Sequence, residues 1–334
     1  MSWKVLVTAR TINDVGQRAA QLLRDAGCQV IIPAKLGPLK AAELLPALAG
    51  MDASLVSPDQ YSAAVLASPE AAHLKIISRW GVGYDSIDVP AATRQGVVIA
   101  YTPGLLNEAV ADYTFALLLG IGRRIHEGHY LMSQGTWKIT WGHDVFGKTL
   151  GIIGCGRIGQ AVARRASGFN MRVLAYDVMQ HPEAKKLGVE FVPLDKLLAE
   201  SDFVTLHAAL TPENHGLINE ARLRLMKPSA YLINAARGAM INDDALILAL
   251  EQGWIAGAAL DTFVIEPLPA DSPLRRAPNL LLTPHQASCA RETGEKVSLV
   301  AAQAIVDLMN GRRPQYVVDP EVFKSPSLRA PLQA

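Results

Sequence analysis

Six residues near the middle of the chain, Gly154-Cys155-Gly156-Arg157-Ile158-Gly159, constrain the fold more than any other stretch. They follow a run with the character of a buried strand, Lys148 to Ile153, and lead into a helical segment, Gln160 to Ala166. A strand that turns on glycines directly into a helix opens a βαβ unit, which brings a parallel sheet and a helical crossover with it. Gly154 permits the tight turn, Gly156 lets the backbone approach a pyrophosphate, and Gly159 lets the helix lie close to the sheet. The helix N-terminus then presents free N–H groups and the positive end of its dipole to phosphate. The next strand, Met171 to Tyr176, ends at Asp177, at the spacing of an acid that accepts from the adenosine ribose. Its carboxylate would repel a 2′-phosphate and no Arg follows in Val178-Met179-Gln180, so NAD is expected rather than NADP.

Short β-rich runs alternate with Ala/Leu-rich helical stretches along almost the whole chain, which places it in the α/β class. A length of 334 residues exceeds what one core usually serves, so two domains are expected. Strands are read near Lys4 to Thr8, Gln29 to Ile32, Ser54 to Ser57, Leu74 to Ser78 and Val97 to Ala100, enough for one small wound domain. A second alternation starts after Gly147 and runs to about Pro284, with the helix-rich stretch Leu105 to Ile125 leading into it. A final amphipathic helix, Glu292 to Met309, closes on Asn310-Gly311, and the pattern alone leaves its parent domain open.

Charge excludes some partners. Lys+Arg (32) and Asp+Glu (31) nearly cancel, which argues against nucleic acid or an anionic membrane surface and for a small-molecule partner. The apolar run Val5-Leu6-Val7 is too short for a signal peptide, and Ala109 to Ile121 carries Asp112 and is too short to span a bilayer. Cys28, Cys155 and Cys289 are odd in number and far apart, as expected of packing residues in a reducing compartment, and a cytoplasmic location follows.

Four later strands end in residues that are costly to explain as packing. Phe203 to Leu206 leads to His207 and Thr211, Ala230 to Ile233 to Asn234 and Arg237, Gly257 to Leu260 to Asp261 and Glu266, and Asn279 to Leu282 to Thr283-Pro284-His285. Ligands of open parallel sheets sit outside the carboxyl ends of the strands, so Arg237, Glu266 and His285 are expected to converge. Their chemistry suits a 2-oxo acid. Arg grips the carboxylate, His donates a proton to the carbonyl oxygen as hydride arrives at carbon, and Glu holds the ring and favours imidazolium. In the first domain, Ile76 to Ser78 runs into Arg79-Trp80-Gly81-Val82-Gly83, where glycines on both sides of Val82 permit a nest of N–H groups for a carboxylate, with Arg79 adding charge.

From about Leu55 to Pro314 the chain resembles the D-isomer-specific 2-hydroxyacid dehydrogenase family, strongest at Ser78 to Asp88, Thr102-Pro103-Gly104, Val110-Ala111-Asp112, Gly147 to Gly159, Asn234 to Gly238, Asp261 to Pro267 and Thr283-Pro284-His285. The resemblance implies a Rossmann NAD-binding domain, residues 102–288, inserted into a flavodoxin-like substrate domain built from residues 1–101 and 289–334. Closure about the two crossings would exclude water from the hydride path. It implies His285 as acid/base, Glu266 as its partner and Arg237 as the residue that binds and polarises substrate, with Arg79, Val82 and Gly83 at the substrate carboxylate. Arg157, Ile158, Asp177, His207, Thr211, Ala235, Arg237 and Asp261 would surround the cofactor, and a homodimer involving the first long helix of the cofactor domain is expected.

Departures bear on substrate. Phosphoglycerate enzymes of this kind carry an Arg directly after the first-domain strand that here ends Leu55-Val56-Ser57-Pro58-Asp59. An unphosphorylated acid, glyoxylate or hydroxypyruvate, is therefore expected ahead of 3-phosphoglycerate oxidation, with a dinucleotide-sensing corepressor-like protein as the reading from another class. Asp261-Thr262-Phe263-Val264 replaces the common Asp-Val-Phe-Glu, and Gln286 replaces an apolar residue after His285. Trp137 is expected to fill packing space, while Trp141 and Tyr101 are open between the cleft and the domain junction.

Overall fold

The structure, a computed structural model, describes residues 2–330 and 332. It falls into two compact units, one formed by Met1–Leu106 with Cys289–Ala334 and the other by Asn107–Ser288.

The first unit holds a five-stranded sheet. Its strands are β1 (Lys4–Val7), β2 (Gln29–Ile31), β3 (Ala53–Val56), β4 (Ile76–Arg79) and β5 (Val98–Ala100). The order β2-β1-β3-β4-β5, parallel throughout, is the flavodoxin-like winding. Strands covered on both faces read as unbroken apolar runs, and Val5, Leu6, Leu55, Val56, Ile76 and Ile77 are all buried. Burying each such side chain stabilises the fold by about 1.5–3 kcal/mol. The long helix Arg291–Met309 packs on helix Gln17–Asp25 of the same unit, so the element that the pattern left open lies with the N-terminal strands. The tail beyond it stays with this sheet. Val317 bridges Ala100 antiparallel, and Arg329 donates to the carbonyls of Ala71 and Leu74.

The second unit holds a seven-stranded parallel sheet. It comprises β6 (Thr149–Ile153), β7 (Arg172–Tyr176), β8 (Glu190–Phe191), β9 (Phe203–Leu206), β10 (Tyr231–Asn234), β11 (Gly257–Leu260) and β12 (Leu280–Leu282). The order β12-β11-β10-β9-β6-β7-β8 reverses direction between β6 and β9, and that switch point opens a crevice at the carboxyl ends. Apolar clusters cover the sheet, one around Leu150, Ile152, Val162 and Phe203, the other around Ile153, Leu174, Leu206 and Leu232.

Two packing expectations are corrected. Trp137 is 86% exposed, because the segment between helix Ile125–Ser133 and β6 lies along the surface of its own unit. Cys28 and Cys155 are buried, but Cys289 stands exposed at the chain's return to the first unit. No helix of the described residues is long and apolar enough to cross a membrane.

Candidate active site

The glycine turn occupies the switch point. Gly154 has φ +91°, and a Cβ there would lie 2.4 Å from Ala208 N; one at Gly159 would lie 2.3 Å from Gly154 O. Side chains at either position would push the turn off β9 or the helix off the turn. At Gly156, by contrast, nothing stands within 4 Å of where a Cβ would be. This is the open cradle that a pyrophosphate requires, with helix Arg157–Ser167 starting at its rim. Arg157 is exposed on the first turn, whereas Ile158 packs on the core.

Asp177 follows β7 and accepts from Cys155 N at 2.6 Å and Met179 N at 2.9 Å. These bonds hold its carboxylate beside the glycine turn, and each oxygen keeps a lone pair for a ribose hydroxyl. Burial, and then the charge of Asp177, push the Cys155 thiol up to about 11, so it is an inert filler.

His207 follows β9, its N–H donating to Ile153 O at 2.7 Å across the switch point. Its Nε2 pairs with Thr205 Oγ1 at 2.9 Å, but Nδ1 is shut off from water with no hydrogen-bond partner among the described residues. Burial pushes the imidazole down to about 3, so the ring is neutral. An orphaned polar atom beside a phosphate cradle fits a dinucleotide-binding site. Thr211 is exposed and caps the short turn Pro212–Asn214, and Ala235 is half-buried after β10; each lies past the carboxyl end of its strand, on the same side as the cradle.

The polar ends of β10, β11 and β12 lie on adjacent strands. Asn234 is fully buried and shapes the turn that carries Arg237, accepting from Ala236 N and donating to Arg237 O at 2.9 Å. The next residue, Gly238, sits so close that a Cβ would lie 2.1 Å from Phe263 C. Phe263 N donates in turn to Glu266 Oε1 at 3.0 Å, and Glu266 Oε2 meets His285 Nδ1 at 2.7 Å. The Arg237 turn, Glu266 and His285 thus form one chain of contacts. Such a pair can hold and release a proton at the imidazole's other nitrogen, Nε2.

His285 has φ +50°, a left-handed conformation uncommon for a residue with a Cβ. Asp261 explains how it is kept. The Asp261 carboxylate is fully buried and accepts from Thr283 Oγ1 (2.6 Å), Gln286 N (3.0 Å) and Ala287 N (2.8 Å), gripping the loop on both sides of the histidine. Burial holds the Asp261 carboxyl above its ordinary range, against the pull of these donors and of His285. The sequence marks Asp261 as a strand-end acid near the cofactor, not as the residue that grips the histidine loop.

In the first unit, Val82 and Gly83 form the half-buried tip of the loop after β4, while Arg79 at its base is only 8% exposed. Arg79 Nε donates to Gly83 O at 2.9 Å and Nη1 to Trp80 O. Buried Asp59, past the end of β3, is absent from the residues singled out by sequence; nothing in Ser57-Pro58-Asp59 separates it from a turn acid.

Residues 115–287 match the family model of the NAD binding domain of D-isomer specific 2-hydroxyacid dehydrogenases. A glyoxylate reductase of Thermofilum pendens is 41% identical over 330 residues, covering 96% of each chain. Another, of Korarchaeum cryptofilum, is 47% identical over 261 residues, 76% of this chain and 79% of that one. Among solved structures, the TT0316 protein of Thermus thermophilus superposes with a TM-score of 0.85 at 40% identity, covering 95% of this chain and 100% of that one.

Proposed function

The chain belongs to the D-isomer specific 2-hydroxyacid dehydrogenase family, oxidoreductases that act on CH–OH groups, and from that premise we propose an NADH-dependent reductase of glyoxylate or hydroxypyruvate. The observation that carries the reading is the His285–Glu266 contact of 2.7 Å beside the Arg237 turn. In the reducing direction His285 donates a proton from Nε2 to the carbonyl oxygen of the 2-oxo acid. Glu266, oriented by Phe263 N, holds the ring in place for the transfer. Arg237 binds and polarises the substrate, and the N–H groups of Val82 and Gly83 receive the carboxylate. The turn Gly154–Gly159 would hold the pyrophosphate and Asp177 the ribose, with Arg157, Ile158, His207, Thr211, Ala235, Arg237 and Asp261 around the rest. When bound, the nicotinamide would supply the hydride to C2, giving achiral glycolate from glyoxylate or D-glycerate from hydroxypyruvate. No Arg stands in Ser57-Pro58-Asp59 directly after β3, where one would serve a phosphate, and this supports an unphosphorylated substrate.

Absorbance at 340 nm with glyoxylate, hydroxypyruvate, pyruvate, phenylpyruvate and phosphohydroxypyruvate, each with NADH and NADPH, tests this. Turnover of the small unphosphorylated acids with NADH is the expected result. Silence across the panel despite measurable NADH binding would replace it with a dinucleotide-sensing role.

A homodimer in the cytoplasm completes the proposal. The segment 125–146 exposes Ile125, Tyr130, Met132, Trp137, Ile139, Trp141 and Phe146, and large apolar side chains gathered on one segment mark an interaction surface. Trp137→Ser with Trp141→Ser is expected to shift the mass measured by light scattering from two chains toward one. A wild-type protein of one-chain mass would refute the dimer.

A further inference from the structure

The carboxyl end of the first unit's sheet contains a pair of opposite charges that the proposed reaction does not use. Asp59 is fully buried past β3. It accepts from the Thr8 hydroxyl and from Leu39 N at 2.6 Å, and a Cβ on Gly37 would come within 2.2 Å of its Oδ1, so the loop lies directly upon it. Arg79 stands on the neighbouring strand, where Val56 pairs with Arg79, and its charge acts on Asp59. Either charge alone would be expensive to remove from water, and a pair survives there only when hydrogen bonds satisfy it.

Those hydrogen bonds shape the loop above. Arg79 folds back beneath it, taking the carbonyls of Trp80 and Gly83. Gly81, at φ +127°, makes room, since a Cβ there would lie 3.3 Å from Arg79 Nη1. Thr102 holds the same glycine from the other side, accepting from Gly81 N at 2.9 Å and donating to Gly81 O at 3.1 Å. In a trans peptide the N–H points opposite the carbonyl. Fixing Gly81 O inward therefore turns out the N–H of Val82, and fixing Gly83 O turns out that of Tyr84. No acceptor among the described residues takes the N–H of Val82, Gly83 or Tyr84. Outward amides on one short loop, left without an internal acceptor, form a concavity for an anion.

We propose that Asp59 and Arg79 are positioning residues for carboxylate recognition: the buried pair moulds the loop from beneath, and backbone amides rather than the Arg79 side chain receive the substrate. This rests on the reading of the protein as a 2-oxo acid reductase. It also separates two roles for arginine in one enzyme, Arg237 on the substrate and Arg79 on the loop.

The test compares glyoxylate with its neutral amide, glyoxylamide, in wild type, Arg79→Lys, Asp59→Asn and Thr102→Val. Lysine keeps the charge but lacks the fork that reaches two carbonyls. Arg79→Lys is therefore expected to raise KM for glyoxylate about tenfold, the worth of one charge-assisted hydrogen bond, with kcat nearly unchanged. NADH affinity and kcat/KM for the amide stay as in wild type, so the preference for the acid collapses. Thr102→Val is expected to share this signature without touching either charge, and Asp59→Asn to show it more weakly. A folded Arg79→Lys variant with unchanged acid-over-amide preference would overturn the proposal, as would an equal loss on both substrates. A wild type that reduces no 2-oxo acid would overturn the reductase reading and this inference together, an outcome distinct from failure of the variants alone.

Discussion

At the residue scale, the site depends on a histidine in a conformation it would not choose. A left-handed φ costs a β-carbon residue about 1–2 kcal/mol, and His285 holds it because Asp261 ties down Thr283, Gln286 and Ala287 around it. If its imidazole is the acid, His285→Asn lowers kcat about 10²- to 10⁴-fold while NADH affinity stays put, because asparagine tolerates the backbone but carries no titratable proton. Stopped-flow reduction of glyoxylate checks this, and a variant of near-normal kcat would remove His285 from the reaction. Side-chain chemistry at strand ends was readable in the sequence, because Arg237, Glu266 and His285 are residue types that packing does not request. Asp59 and Asp261 were not readable as buried organisers. Burial arises from loops folding over them, and Gly37 covers Asp59 from 22 positions away in the chain.

At the scale of elements, the strand-to-helix turn is specified most sharply, since sequence, backbone angle and clearance agree. Gly159→Ala would place a Cβ 2.3 Å from Gly154 O, a backbone atom that cannot step aside. Overpacking of this kind costs about 1–3 kcal/mol and moves the helix N-terminus off the cradle, so NADH binding weakens about tenfold or more. Fluorescence titration with NADH measures it, and an unchanged affinity would show that the helix does not seat the pyrophosphate. Elsewhere the reading blurred. The helix-rich stretch Leu105 to Ile125 contains the helix Asn107–Gly122 and the start of a second, Ile125–Ser133, broken where Arg124 turns to φ +55°. Gly122 was the available signal. Gly142 of the following segment returns so closely to the break that a Cβ on it would lie 2.4 Å from Gly122 O. The edge strand β8 has only two residues, too few for any alternation to register. Trp137 was misleading for a different reason, because a large aromatic signals burial without saying against what.

For the whole molecule, the buried groups make stability depend on pH in opposing directions. His207 binds its proton at 6.5 in an unfolded chain but only at about 3 in the native one. Between those values the unfolded state holds the extra proton, so acidification favours unfolding by up to about 1.4 kcal/mol per pH unit. The contribution is fully present above pH 6.5 and is lost as pH falls toward 3. Asp59 and Asp261 act the other way, since their carboxyls are raised in the native state, which then binds protons first as pH falls toward the ordinary carboxylate range. A single acid denaturation curve mixes these contributions, but a variant separates them. His207→Gln removes the titration while keeping a polar side chain that can bond Thr205, so its unfolding free energy falls less steeply than wild type between about pH 6 and pH 4. Urea unfolding at half-unit pH steps reads the difference directly. Parallel curves would mean that the native imidazole takes up its proton as readily as the unfolded one, and that His207 is not held neutral beside the phosphate cradle.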